Sequence, residues 1–384
     1  MLPAYPPGPL VWCPPHLLAV RVPIRHYSWL VSPYSAKTRA YLRYQRVAFD
    51  DVRPSAWMLR GRIQQAVGRM IMPTVELPDG SWLQDSSDII DHFEQLAGTT
   101  SVTPADPAVA LASSLLEVFG DEWLPMAALH YRWNTPANAD FALDEFADNG
   151  VPWLPRVLGR PLIRPMANRM KGYLPLLGVT ADTIPGLERT AEATIAAVEA
   201  TLADRPFVLG GRPSLGDFAL YGPLWAHLFR DPGSRMLFDA APRVVDWMAR
   251  LTRGATTHGE LASTVPASLD PIFQAIVDDQ LAWNRTLVEA IDRWCAEHPD
   301  AHRVPRALGT APFSIGGCSG QRKLITFVQY KAQRSRRAYE RAPAACDDWL
   351  SRYSAHPGGE LVPAIRNPLT RVNFKAVLAE RPQP

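Results

Sequence analysis

The chain has 384 residues, 47% of them hydrophobic and 20% charged, with a formal net charge of +2. That length and apolar content suit two or three domains with sizeable cores, and so small a charge gives no bulk electrostatic drive toward nucleic acid. The four cysteines, Cys13, Cys295, Cys318 and Cys346, show no paired spacing, which argues against a disulfide framework or a zinc site and fits a reducing cytoplasm.

Residues 1–21 read as a disordered leader: Met1 to Pro15 holds six prolines and no basic residue, a composition that fits neither a spanning helix nor a signal peptide, so no membrane partner is expected. An apolar run, Tyr27-Ser28-Trp29-Leu30-Val31, then leads through Ser32-Pro33-Tyr34-Ser35 into a helix over Ala36 to Tyr44. Serine is a preferred N-cap and proline a preferred first helical residue, so Ser32 as cap and Pro33 after it satisfy both preferences. The Ser32 hydroxyl then faces unpaired backbone N–H groups at a terminus carrying roughly half a positive charge, which favours an anion such as a thiolate held there. An ordinary capped helix is the plain alternative.

A short extended run over Val47 to Val52 and an arginine-rich helical stretch over Ser55 to Val67 precede a strand, Met70 to Leu77, with Pro73 inside it. Proline cannot donate to a sheet ladder, so Pro73 belongs on an edge, at a bulge, or after a cis peptide that turns a backbone group outward. Pro78-Asp79-Gly80 is a hairpin signal, Ser81 to Gln84 supplies the partner strand, and Asp85-Ser86-Ser87-Asp88 opens an amphipathic helix ending near Leu96. The order over residues 22–97 is β-α-β-α-β-β-α.

After a linker at 98–106, Leu111, Leu115, Leu116, Phe119 and Trp123 are spaced for one buried helical face, so residues 107–254 are expected to be all-α. Trp123 leads into a cluster containing His130, Tyr131 and Trp133, and Ser214 and Asp217 form a capping-box pattern at the head of an apolar helix. Residues 255–384 form an extension expected to be helical, with a long helix over Leu269 to Glu297. Gly316 to Gly320 lacks the Gly-Lys-Ser/Thr ending of a phosphate loop and is expected to precede a helical run containing Arg322 and Lys323. Lys331, Arg334, Arg336, Arg337 and Arg341 read as a solvated helix face.

Taken in order, Ser32-Pro33-Tyr34-Ser35, Met72-Pro73, Asp85-Ser86 and the Leu209 to Phe218 segment resemble the glutathione transferase superfamily over about residues 22–252. The resemblance implies a thioredoxin-like four-stranded mixed sheet followed by a helical bundle. It also implies glutathione as co-substrate, with Met72 and Pro73 on its cysteinyl part, Asp85 and Ser86 on its γ-glutamyl end, and a cation for the glycine carboxylate among Arg53, Arg60, Arg62 and Arg69. The donor to the glutathione sulfur is Ser32 by position, with Ser35, Tyr34 and Tyr27 as the other candidates, while Trp123, His130, Tyr131 and Trp133 are candidates for the site of a small apolar electrophile. No cysteine stands in the turn, which argues against mixed-disulfide chemistry. No metal is implied. A homodimer is implied, although residues 255–384 could cover the surface it uses. A non-catalytic binding or structural protein on the same fold is the alternative.

Overall fold

The computed structural model describes residues 23–96, 98–254 and 259–379, so the leader at 1–21 lies outside the described residues. The N-terminal domain is a mixed four-stranded sheet in the order β2-β1-β3-β4. Strand β1 (Ile24–Tyr27) runs parallel to β2 (Phe49–Val52), and helix α1 (Pro33–Tyr44) makes the crossover that two parallel strands require. Strand β3 (Thr74–Glu76) is antiparallel to β1 and to β4 (Trp82–Gln84), and α2 (Ser86–Glu94) follows β4 directly. The stretch at 56–67 is helical, with a π turn at Leu59–Ile63. Pro73 lies just before β3 rather than inside a strand, and β3 is an interior strand; of the three placements open to this proline, the cis peptide after Met72 is the one adopted.

The helical domain begins with α3 (Pro107–Val118), whose apolar face is buried as the spacing predicts: Leu111, Leu115, Leu116, Phe119 and Trp123 are all in the core. It continues through α4 (Leu124–Asn134), α5 (Pro136–Gly150), α6 (Arg156–Lys171), α7 (Ile184–Thr201), α8 (Leu215–Pro223) and α9 (Pro242–Arg253). All nine residues of α8 are buried. Its start is fixed by the Ser214/Asp217 capping box, and the Asp217 carboxylate also accepts from Val208 N (2.8 Å) and Trp247 Nε1 (2.9 Å), so no lone pair of this buried acid faces an apolar wall.

In the extension, α10 (Asp270–Ala275), a π turn at Ile276–Leu281 and α11 (Ala282–Glu297) run as one helix over the expected span. The following segment differs from expectation. β5 (Ala307–Ile315) and β6 (Cys318–Ile325) form an antiparallel hairpin whose two-residue turn is Gly316-Gly317, at φ 54° and 79°. Consecutive positive φ values are what a tight hairpin needs and what only glycine adopts readily, so Arg322 and Lys323 lie on a strand, not a helix. Then come α12 (Phe327–Glu340), α13 (Pro343–Leu350) and a second hairpin of β7 (Leu369–Val372) and β8 (Lys375–Leu378). Among the described residues no helix is long and apolar enough to cross a membrane.

Candidate active site

Register gathers the predicted pieces at one end of the sheet. Tyr27, the last residue of β1, pairs with Thr74, and Thr74 pairs with Gln84. The Ser32 turn leaving β1, the Met72-Pro73 step entering β3 and the Asp85-Ser86 step leaving β4 are therefore neighbours.

Ser32 is the N-cap of α1, at φ −94° and ψ 120°, and its Oγ accepts from Ser35 N at 3.3 Å. The turn is held from both domains. Trp29 Nε1 donates to Pro54 O (2.8 Å), while Arg132 Nη1, from α4, donates to Val31 O (2.9 Å) and is itself paired with Asp231 (2.6 Å). A Cβ on Gly222 would lie 2.7 Å from Pro33 O, so glycine is what lets α8 pack against the first turn of α1. Arg132 and Gly222 are positioning residues that the sequence did not mark.

The four candidate hydroxyls separate on what they already do. Tyr27 donates to Glu76 (2.7 Å) and Tyr34 to Asp121 O (2.8 Å). Burial raises both phenols, and the carboxylates beside them push the same way, Glu76 for Tyr27 and Glu122 and Asp121 for Tyr34. The Ser35 hydroxyl is buried without a hydrogen-bond partner. Ser32 is half-buried. Met72 is half-buried and Pro73 buried, and the Thr74 hydroxyl beside them is buried without a partner.

Asp85 caps α2, accepting from Ser87 N at 2.9 Å, and takes φ 84°, a region that costs a non-glycine residue about 1–3 kcal/mol. The Ser86 hydroxyl is buried without a partner. The Asp85 carboxylate, however, receives Lys331 Nζ at 2.5 Å, from α12 of the extension. This overturns the reading of the α12 basic run as a solvated face at Lys331 and Arg334, whereas Arg337 and, just past the helix, Arg341 are exposed as that reading has them. Lys331 is only 3% exposed and donates also to Ser87 Oγ (2.8 Å), and Arg334 pairs with Glu117 (2.7 Å) and with Asp91. Lys37 of α1 completes the cluster, on Glu117 (2.9 Å) and Asp121 (2.7 Å). The reason is charge: Asp85, Glu117 and Asp121 are buried together, and buried carboxylates need cations and donors around them.

Within this cluster burial alone would raise the Asp85 carboxyl, but the charge and hydrogen bond of Lys331 outweigh it and hold it below the usual carboxylate range. Glu117 is likewise held low against burial by Arg334, Lys37 and Lys331. Lys331 is raised, since Asp85, Asp121 and Glu117 overcome its desolvation. The extension also grips the start of α2 through Arg371, which donates to Gln84 O (2.5 Å) and pairs with Asp88, and through Tyr330, whose hydroxyl donates to Asp88 (2.9 Å).

The aromatic candidates divide: the His130 and Tyr131 rings are in contact (5.1 Å), while Trp123 and Trp133 pack elsewhere. Trp123 lies under the extension hairpin, with the Arg322 guanidinium 5.0 Å from its ring and Phe313 edge-on at 6.1 Å. Trp133 packs on Phe146, and His130 contacts Glu188 (3.2 Å) and Asn134 (3.0 Å) with Tyr131 beside it. Arg322 itself is buried between Trp123 and Trp283, donates to Glu122 O (3.1 Å), and has Nε and Nη1 without partners. Desolvation brings it down to about 10 and takes the neighbouring Glu122 carboxyl up to about 7. Of the four arginines near the second helical stretch, Arg53, Arg60 and Arg62 are exposed, Arg62 pairing with Glu76 (2.5 Å), while Arg69 is half-buried and lowered by burial and by Arg306, Arg371 and Arg303 of the extension.

Residues 27–101 match the glutathione S-transferase N-terminal domain and residues 181–250 the glutathione S-transferase C-terminal domain. These two segments are domains of the glutathione transferase superfamily. Among solved structures, the chain is similar to the β-etherase LigF from Sphingobium sp. strain SYK-6, at 18% identity over 66% of this chain and 99% of that one, with a TM-score of 0.42. It is similar also to a glutathione S-transferase from Methylobacillus flagellatus KT with glutathione bound, at 16% identity over 59% and 93%, with a TM-score of 0.40. No curated protein matches the sequence. The transferase domains account for the sheet end where Ser32, Pro73 and Asp85 meet; the matched segments end before the extension that supplies Lys331. Among the described residues, no group of three or more histidine, cysteine or acidic side chains is placed to hold a metal ion.

Proposed function

We propose that the chain is a glutathione transferase-like enzyme in which Ser32 hydrogen-bonds the glutathione sulfur and favours its thiolate for attack on a small apolar electrophile. The observation that carries this reading is the division of labour among the hydroxyls: both tyrosines donate elsewhere and Ser35 is buried, which leaves half-buried Ser32 at the positive end of α1. A free thiol ionises near pH 8.5, and lowering that by about one or two units multiplies the thiolate fraction at neutral pH severalfold or more. Met72 and Pro73 would carry the cysteinyl part and Ser86 the γ-glutamyl carboxylate, for which its unpartnered hydroxyl is suited.

A second reading, a non-catalytic binding protein on this fold, is favoured by one specific observation. Asp85, the acid that would take the γ-glutamyl ammonium, is already neutralised by an ammonium of its own chain. Calorimetry with glutathione and the folded full-length protein separates the two: micromolar-to-millimolar binding supports the enzyme, and no detectable heat favours the second. Homodimerisation belongs with the first reading as a proposal. Because α12 occupies one surface spanning both domains, a dimer would have to use another, and sedimentation at several concentrations yielding single chains only would overturn it. A cytoplasmic location accompanies the same reading.

A further inference from the structure

Helix α6 is apolar on the wrong side. Its buried residues, Gly159, Ile163 and Ala167, recur every four positions and pack on α5; a Cβ on Gly159 would already touch the Val151 side chain at 3.0 Å. At 100° per residue Pro161 and Pro165 lie at the opposite, solvent-facing pole, Val157, Leu158 and Arg169 within about 60° of it, and Leu162 on its flank. Val157 is 76% exposed and Leu162 62%. Of the twelve large apolar side chains exposed among the described residues, seven fall between residues 153 and 176, so the exposure is a patch and not scatter.

The charge carried by α6 itself has one sign, while the neighbouring helix α5 is acidic. Helix α6 has no acidic residue and five basic ones. Arg156 and Arg160 turn back onto Asp140, Asp144 and Asp148 of α5, whereas exposed Arg164, Arg169 and Lys171 make no ion pair among the described residues. Two aromatic side chains with a polar edge, Trp153 before the helix and Tyr173 after it, are exposed at its ends. Apolar side chains on the outer pole, unpaired cations along the flank and amphipathic aromatics at the ends match an interface that is apolar inside and anionic at its surface.

We propose that α6 docks the protein on an anionic lipid surface, with Val157, Leu158 and Leu162 entering the acyl boundary and Arg164, Arg169 and Lys171 meeting headgroup phosphates and carboxylates. The helix lies in the plane of the interface and does not span it. The inference rests on α6 and the aromatic side chains at its ends and is independent of any glutathione chemistry.

Co-sedimentation of the full-length protein with phosphatidylcholine vesicles, with and without about 30% phosphatidylserine, tests it. The expected result is binding to the anionic vesicles only, weakened as salt is raised, and reduced about tenfold or more both in Leu158→Gln/Leu162→Gln and in Arg164→Gln/Arg169→Gln/Lys171→Gln. The salt titration needs no variant and guards against a substitution that disturbs the fold. No binding to anionic vesicles, or equal binding by wild type and both variants, overturns the proposal. So does self-association that both variants abolish without any lipid binding, which would make the patch a contact between copies of the chain.

Discussion

Lys331 Nζ lies 2.5 Å from the Asp85 carboxylate, although 246 positions separate the two residues in sequence. Removing the cation by Lys331→Met should leave Asp85 and Asp121 buried with too little positive charge and cost about 3–5 kcal/mol, read from denaturant unfolding. If Asp85 can take a γ-glutamyl ammonium, glutathione should raise the melting temperature of Lys331→Met more than that of wild type, since the ligand then replaces the missing charge. An equal or absent shift in the variant would remove Asp85 from the glutathione site.

Ser32→Ala separates cap from catalyst. A cap alone is worth about 1 kcal/mol. A sulfur donor should in addition lower turnover of an activated aryl halide by about ten- to a thousandfold with glutathione affinity nearly unchanged, and raise the pH at which the bound thiolate absorbs. If titration and turnover both survive the change, Ser32 is a cap only, and Ser35 is the next hydroxyl to test.

Glu122 gives a pH dependence of known sign. Desolvation puts its carboxyl at about 7 in the folded chain against 4.5 ordinarily, so the folded state holds the proton more tightly than the unfolded one. Its contribution is fully present below pH 4.5 and is lost as pH rises toward and through 7. Glu122→Gln should therefore flatten the fall in stability across that window and leave the variant more stable than wild type at pH 8, compared by urea unfolding at several pH values. A wild-type profile flat between pH 5 and 8 would count against this.

Asp217→Ala should be among the most damaging single changes away from the proposed site. It strands the Val208 and Ser214 N–H groups and the Trp247 indole in a buried setting, at a cost of about 3–5 kcal/mol. Near-wild-type stability in thermal unfolding would mean that water or a rearranged loop satisfies those donors.

Much of the site's scaffold was legible because its signals are local. A serine before a proline caps a helix, an Asp-Gly turn joins two strands, and a Ser-x-x-Asp box starts a buried helix; each pattern is complete within a few residues. The Gly316-Gly317 hairpin was legible in the same way but was overshadowed by the basic residues that follow it. Lys331 was not legible at all. In sequence it belongs to a run of cations that would normally face water, and only the fold reveals that three carboxylates from two other segments converge on it. Trp123 and Trp133 could not be told apart in sequence for a related reason: residues close together along a helix point to different sides of it, and the extension packs on Trp123 while α5 packs on Trp133.

The ionic cluster also bears on how the chain comes to be folded. Asp85, Glu117 and Asp121 are synthesised early, with Lys37 the early cation paired with Glu117 and Asp121, while Lys331 and Arg334 emerge some two hundred residues later. Until then the junction between the sheet domain and the helical domain holds a surplus of negative charge that resists being dried out. The two domains should therefore dock loosely on the ribosome and tighten only once α12 has left the exit tunnel. Limited proteolysis of ribosome-bound chains, stalled with α12 still inside the tunnel or extended by a C-terminal linker that carries it outside, would register that step as an abrupt gain in protection of the segment between α2 and α3.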